Sequence, residues 1–179
     1  MIKFPINPVS ISNHKTGETY LLIRADELPL TQKNQLAVAD VCNEPAVYDL
    51  FKQRLDGKSY TPEMAYDFFQ WCRTGWLENS YFVFFITTQE GQPVACVDIK
   101  SNSLINDEIG YWCSSSHTGL MTNTVTGLLC LAQNAGFKQL FARVKKLNDK
   151  SRGVLVRNRF VFDKEDSEQD RIFNHYKKA

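Results

Sequence analysis

The residues Tyr81 to Thr87, YFVFFIT, constrain this chain more than any others. The run is almost continuously apolar, rich in aromatic side chains and too short for a core helix. Such a composition belongs to a buried strand. The turn Glu90-Gly91-Gln92-Pro93 follows it, and Val94 to Lys100 (VACVDIK) reads as the returning strand of a hairpin. A second turn over Ser101–Asn106 leads to a third strand, Glu108 to Cys113.

Upstream, the first dozen residues read as an irregular arm, and Glu18 to Arg24 (ETYLLIR) reads as a strand. Thr31–Leu36 and Ala46–Leu55 have helical patterns, with Gly57 closing the second. Thr61-Pro62-Glu63 opens a further helix with a threonine cap, a first-turn proline and an acid at the positive end of the dipole. Ala65, Phe68, Phe69, Cys72 and Trp76 then fall on one face, and Gly75 is the expected stop. Downstream the pattern changes. A helix is expected over Thr122–Ala135 with Gly136 as its stop, a strand over Gln139–Val144, and a helix over Asp149–Asn158. Closing strands follow at Phe160–Asp163 and Arg171–Tyr176, joined by an acidic turn over Lys164–Asp170. A meander followed by strand–helix–strand–helix–strands is a mixed α/β arrangement. One domain over residues 1–179, with residues 1–15 as an irregular arm, is expected at this length.

The composition excludes several classes. A net charge of +1 supplies no global field to recruit nucleic acid or a membrane surface. No apolar run approaches the roughly 20 residues a membrane span needs. The segment MIKFPINPVSISNHK lacks the long apolar core of a secretory leader. The five cysteines are odd in number, form no CxxC pair and show no zinc spacing. They read as reduced thiols of a cytoplasmic protein, with no metal site expected.

Between the third strand and the next helix lies SSSHTGLMTNT, Ser114 to Thr124. A strand, a polar turn and a helix start make an anion site, because the first amides of a helix have no internal partner and the dipole adds positive potential. Pyrophosphate would sit on the amides of His117 to Thr122, with Thr118, Thr122 and Thr124 offering hydroxyls. The same residues also suit an ordinary capped helix.

Val94 to Phe160 resembles the GNAT superfamily of N-acetyltransferases, nearest to the branch that acetylates ribosomal-protein N-termini. The resemblance rests on EIGYW (Glu108–Trp112), the loop Ser114-Ser115-Ser116-His117-Thr118-Gly119, Asn148-Asp149-Lys150-Ser151 opening the next helix, and the aromatic Phe160 that ends it. Ser114 stands where the family has glutamine or arginine, His117 replaces the loop's first glycine, and Arg159 replaces the glycine before the aromatic. The resemblance implies a mostly antiparallel twisted sheet of six to seven strands flanked by about four helices. It implies acetyl transfer from acetyl-coenzyme A, without a metal, to a primary amine on a protein N-terminus or a small molecule. The alternative is a degenerate acyl-coenzyme A sensor. Coenzyme contacts are expected from Trp112, Cys113, Ser114, His117, Thr118, Gly119, Leu120, Met121, Thr122, Asn148 and Ser151. Glu108 is the expected base, with Asp98 competing, and Ser151 the donor to the leaving thiolate. The acids Glu44, Asp49, Asp56, Glu63 and Asp67 suit either a cationic acceptor or a solvated helix face. A monomer or homodimer is expected.

Overall fold

The apolar run becomes β3 (Phe82–Thr87), and every residue in it is buried. The structure, a computed structural model, describes residues 1–167 and 170–176. Strand β3 is flanked by β2 (Thr19–Arg24) and β4 (Pro93–Ile99), both antiparallel to it. Strand β5 (Asp107–Cys113) pairs antiparallel with β4. Beyond it the sheet continues with β6 (Gln139–Lys145), β8 (Asp170–Tyr176) and β7 (Val161–Glu165), in the order β1-β2-β3-β4-β5-β6-β8-β7.

Among the described residues the sheet has eight strands, where the resemblance implies six to seven, and five helices flank it, each within or overlapping a segment read as helical from the sequence. The additional edge strand is β1 (Val9–Ser12), expected as irregular arm. Val9 and Ile11 are strand formers that alternate with serines, but the pattern is only four residues long. The strand forms because β2 offers an open edge, pairing Val9 with Leu22 and Ile11 with Tyr20. The acidic turn over Lys164–Asp170 includes positions 168 and 169, which lie outside the described residues.

Helices α1 (Gln32–Cys42), α2 (Pro45–Leu55) and α3 (Pro62–Glu78) lie on one side of the sheet. Thr61 caps α3 as expected, its hydroxyl accepting from the Met64 amide. The helix does not stop at Gly75. It runs to Glu78 and ends at Asn79, which takes a left-handed φ of 54°. Gly75 instead makes room for a ring, since a Cβ there would meet Tyr81 at 2.2 Å. Helices α4 (Leu120–Asn134) and α5 (Asp149–Arg157) cover the other side.

Strand β5 separates these two sides by simple alternation. Trp112 faces the α3 side, where its ring approaches Phe85, itself stacked on Phe69 of α3. Glu108, Gly110 and Ser114 share that face. Tyr111 points to the other face and reaches α5. The β5–β6 pair is the sheet's one parallel pair among the described residues, and it is short. It joins Asp107 to Leu140, Glu108 to Phe141 and Ile109 to Ala142, then stops. Gly110 to Cys113 continue along β4 while β6 continues along β8. The two strands therefore splay apart from Gly110 onward.

Candidate active site

The splay leaves backbone groups without a sheet partner. The Ser114 amide donates to Val94 O on β4 at 2.9 Å. Alternation along an antiparallel ladder then turns the Trp112 amide toward β4 as well, and the Tyr111 and Cys113 amides toward the gap. Of the strand-end residues Trp112 to Ser114, only Cys113 turns its amide to the gap, with the Tyr111 amide one step deeper. Trp112 itself is buried against the core.

At the open end of β5, Ser115–His117 form a short 3₁₀ turn and Gly119 sits before α4 with φ 103°. No side chain caps α4. Gly119 is required twice over. Its φ is unfavourable for any L side chain, and a Cβ would lie 2.5 Å from Asn13 Oδ1. Asn13, in the β1–β2 turn, also donates to Thr118 O at 3.3 Å, which docks that turn on the loop. His117, standing where the family has glycine, keeps a negative φ and needs no left-handed backbone. Its Nδ1 lies 2.8 Å from Tyr20 Oη. Because Tyr20 donates its one hydrogen to Glu18, His117 Nδ1 is the donor in this pair, and Nε2 of a neutral ring carries no hydrogen.

Two of the expected hydroxyl donors are committed within the protein: Thr118 donates to Ser115 O and Thr124 donates to Leu120 O. Thr122 accepts from Arg157 Nε at 3.1 Å, which leaves its own hydrogen to donate. The side chains of Leu120 and Met121 are buried. What the loop offers an anion is therefore its amides and the Thr122 hydroxyl. Arg157, from the last turn of α5, is a cation beside them that the spacing of the sequence does not suggest.

On the same face, Asn148 caps α5 by accepting from the Ser151 amide at 3.0 Å. Ser151 Oγ shares a 2.6 Å hydrogen bond with the Tyr111 hydroxyl. Burial pushes the Tyr111 phenol up to about 12, so it is protonated at neutral pH. Cys113 Sγ lies against the Ser114 and His117 carbonyls, and burial with the nearby Glu44 pushes its thiol up to about 12.

The α1–α3 face of the splay carries the acids. Glu108 is held by Lys100 at 2.6 Å and faces Arg143 at 3.8 Å. Asp98, on β4, pairs across the strands with Gly110 and accepts from its amide at 2.9 Å. Helix α2 lies across the mouth. Glu44 at its start accepts from Ser114 Oγ and the Ser115 amide, both at 2.6 Å. Burial alone would raise the Glu44 carboxyl, but these bonds outweigh it and hold the group below its ordinary value. Asp49, a turn later, pairs with Lys145 on β6 at 2.5 Å. Of the other expected acids, Glu63 sits in the first turn of α3, where the helix-start amide and the Thr61 hydroxyl hold its carboxyl low.

The family model described as the acetyltransferase (GNAT) domain matches residues 28–161. The chain belongs to the GNAT family of acetyltransferases. It is an N-acetyltransferase by that membership. No curated protein sequence matches it. Solved GNAT structures share its fold at low identity. A Mycobacterium smegmatis RimJ in complex with CoA-disulfide is 17% identical, with a TM-score of 0.70, covering 95% of this chain and 86% of that one. A Salmonella typhimurium acetyltransferase that modifies the N-terminal serine of a 50S ribosomal subunit protein is 16% identical, with a TM-score of 0.65, covering 89% and 95%. Campylobacter jejuni PseH in complex with acetyl coenzyme A is 16% identical, with a TM-score of 0.63, covering 89% and 99%.

Two residues of this GNAT domain lie inside the EIGYW motif, yet nothing in the motif assigns them a role in the site. Tyr111 finds its partner 40 residues away, beyond the reach of local spacing. Gly110 stands inside EIGYW, where nothing distinguishes it from an ordinary strand glycine. Among the described residues, no group of His, Cys, Asp and Glu could hold a metal ion, and no helix is long and apolar enough to cross a membrane.

Proposed function

We propose that this GNAT domain transfers the acetyl group of acetyl-coenzyme A directly to a primary amine, on a peptide N-terminus or a small molecule. The observation that carries the reading is the splay: unpaired β5 amides open beside an uncapped helix N-terminus. The amides of Gly119 to Thr122 hold the pyrophosphate, aided by the α4 dipole. The Cys113 amide donates to the thioester carbonyl as charge develops on its oxygen. Asn148 fixes the start of α5, which sets Ser151 against Tyr111. That hydroxyl pair supplies a proton to the departing thiolate. The coenzyme lies on the α4–α5 side, and the amine enters from the α1–α3 side beneath α2.

Calorimetric titration with acetyl-coenzyme A tests the cradle. Saturable binding is expected, weakened at least tenfold by Gly119→Ala. Thiol release is then followed with two acceptors, a peptide beginning with serine and a small-molecule primary amine. The Salmonella relative, which modifies an N-terminal serine, motivates the first of them. Absence of binding at millimolar coenzyme would sink the reading. Binding without turnover of any amine would favour the acyl-coenzyme A sensor instead.

A further inference from the structure

The resemblance points to Glu108 as base, but the geometry points elsewhere. We infer that Asp98 on β4 is the general base for the acceptor amine and that Gly110 is the notch that lets it act. The inference rests on the acetyl-transfer reading above.

Position comes first. Glu108 lies below the fork, opposite Phe141 in the last stretch where β5 and β6 still pair. Gly110 is the first α1–α3-facing residue of β5 beyond the last pair, so it stands at the fork itself. Its amide bonds Asp98 Oδ1 at 2.9 Å. A Cβ on Gly110 would meet the two Asp98 oxygens at 2.9 and 3.3 Å. The Asp98 carboxylate therefore lies flat over the space where any other residue would carry a side chain. It is half-buried there, on the side from which the amine arrives.

Charge makes the same distinction. Glu108 is neutralised by Lys100 and flanked by Arg143, which also pairs with Asp166. The other groups facing Asp98 give it no ion pair. Lys100 is committed to Glu108, Asp107 is bonded to Ser101, and Cys72 on α3 is a thiol kept protonated by burial. Asp98 thus keeps one backbone donor and no bonded cation. Burial raises its carboxyl to about 6, against the opposing pull of Lys100 and the Gly110 amide. A base with that affinity is ionised at pH 7 and still takes a proton readily.

The step balances. Asp98 accepts a proton from the ammonium, directly or through one water. The freed nitrogen lone pair attacks the thioester carbonyl carbon and a C–N bond forms. The tetrahedral intermediate collapses, the C–S bond breaks, and the thiolate takes a proton from the Tyr111–Ser151 hydroxyls. The nitrogen sheds its second proton to water, the hydroxyls are reprotonated by solvent, and Asp98 releases its proton to solvent.

The test is the pH profile of Asp98→Asn with a serine-initiated heptapeptide as acceptor. Asparagine keeps the acceptor for the Gly110 amide, so the strand pairing survives. In the wild type, kcat/KM should rise with pH through a limb near 6. In the variant that limb should vanish, with kcat/KM at pH 7 reduced about 100-fold or more. Activity should recover toward pH 9, where the amine deprotonates itself, and acetyl-coenzyme A affinity should be unchanged. A variant that keeps the limb and the rate overturns the inference and leaves acetyl transfer standing. A wild type that binds coenzyme but releases no thiol with this peptide or with a small-molecule primary amine removes the transfer reading and the base with it. Carbon-13 titration of the aspartate carboxyls gives an independent reading without acceptor. A resonance missing in Asp98→Asn should titrate near pH 6, and titration near 4 would overturn the assignment.

Discussion

Arg159 occupies the position where the family resemblance expects glycine, and the structure gives the reason for that preference. Its φ is 63°, in the left-handed region, as the chain turns from α5 toward β7. An L side chain there costs about 1–2 kcal/mol. Arg159→Gly should therefore raise unfolding free energy by about 1 kcal/mol, partly offset by the entropy that glycine adds to the unfolded chain. Urea denaturation of both proteins measures it, and a loss of stability would mean that the arginine side chain makes a compensating contact. Asp98 is a second residue whose native state works against folding. Its folded affinity for a proton, near pH 6, exceeds that of an ordinary aspartate at 3.8, so ionisation opposes folding. Stability is lost as pH rises from about 4 to 6, and the deficit is complete above that window. Asp98→Asn should be more stable than the wild type at pH 8, by about 1–3 kcal/mol, and indistinguishable from it below pH 4. Thermal melts across pH read that difference.

Helix α2 bridges the splay on its α1–α3 face by two ties, Glu44 to the end of β5 and Asp49 to Lys145 on β6. The Asp49 tie is exposed, so its contribution to global stability is small, about 0–1 kcal/mol. Lys145→Ala should leave the melting temperature within about 2 °C and coenzyme affinity unchanged. The KM for the acceptor should rise several-fold, and raising the salt concentration should mimic this in the wild type. An unchanged acceptor KM would mean that α2 does not line the acceptor's path. At this scale the sequence is legible where local chemistry decides. The Thr61-Pro62-Glu63 start and the Gly136 stop lie where caps require them. It misleads where a distant ring decides, as at Gly75, whose small size serves Tyr81 while the helix continues. Strand β1 is illegible because only the β2 edge makes it a strand.

Across the whole molecule, the fold is readable because apolar runs and turn residues are local signals, and the EIGYW-to-Phe160 motifs set their order. The loop and α5 cap are readable for the same reason. The splay is not, because it depends on where β6 stops pairing with β5. Nor is the Asp98–Gly110 contact, which joins two strands, or the Tyr111–Ser151 bond, which joins a strand to a helix 40 residues on. The result is a sheet perforated at one fork, with hydroxyls and a helix N-terminus on one side and carboxylates on the other. Under the proposed function, that division predicts how the molecule responds to acetyl-coenzyme A. Acetyl-coenzyme A at about 100 times Kd should stabilise the fold by about 2.7 kcal/mol through mass action. Hydrogen exchange should locate that gain. Amides of Tyr111, Cys113 and Gly119–Thr122 should slow, while α1 and α3, on the opposite face, should exchange as before. Protection spread evenly over both faces would mean that the coenzyme stabilises the sheet generally and does not occupy the fork.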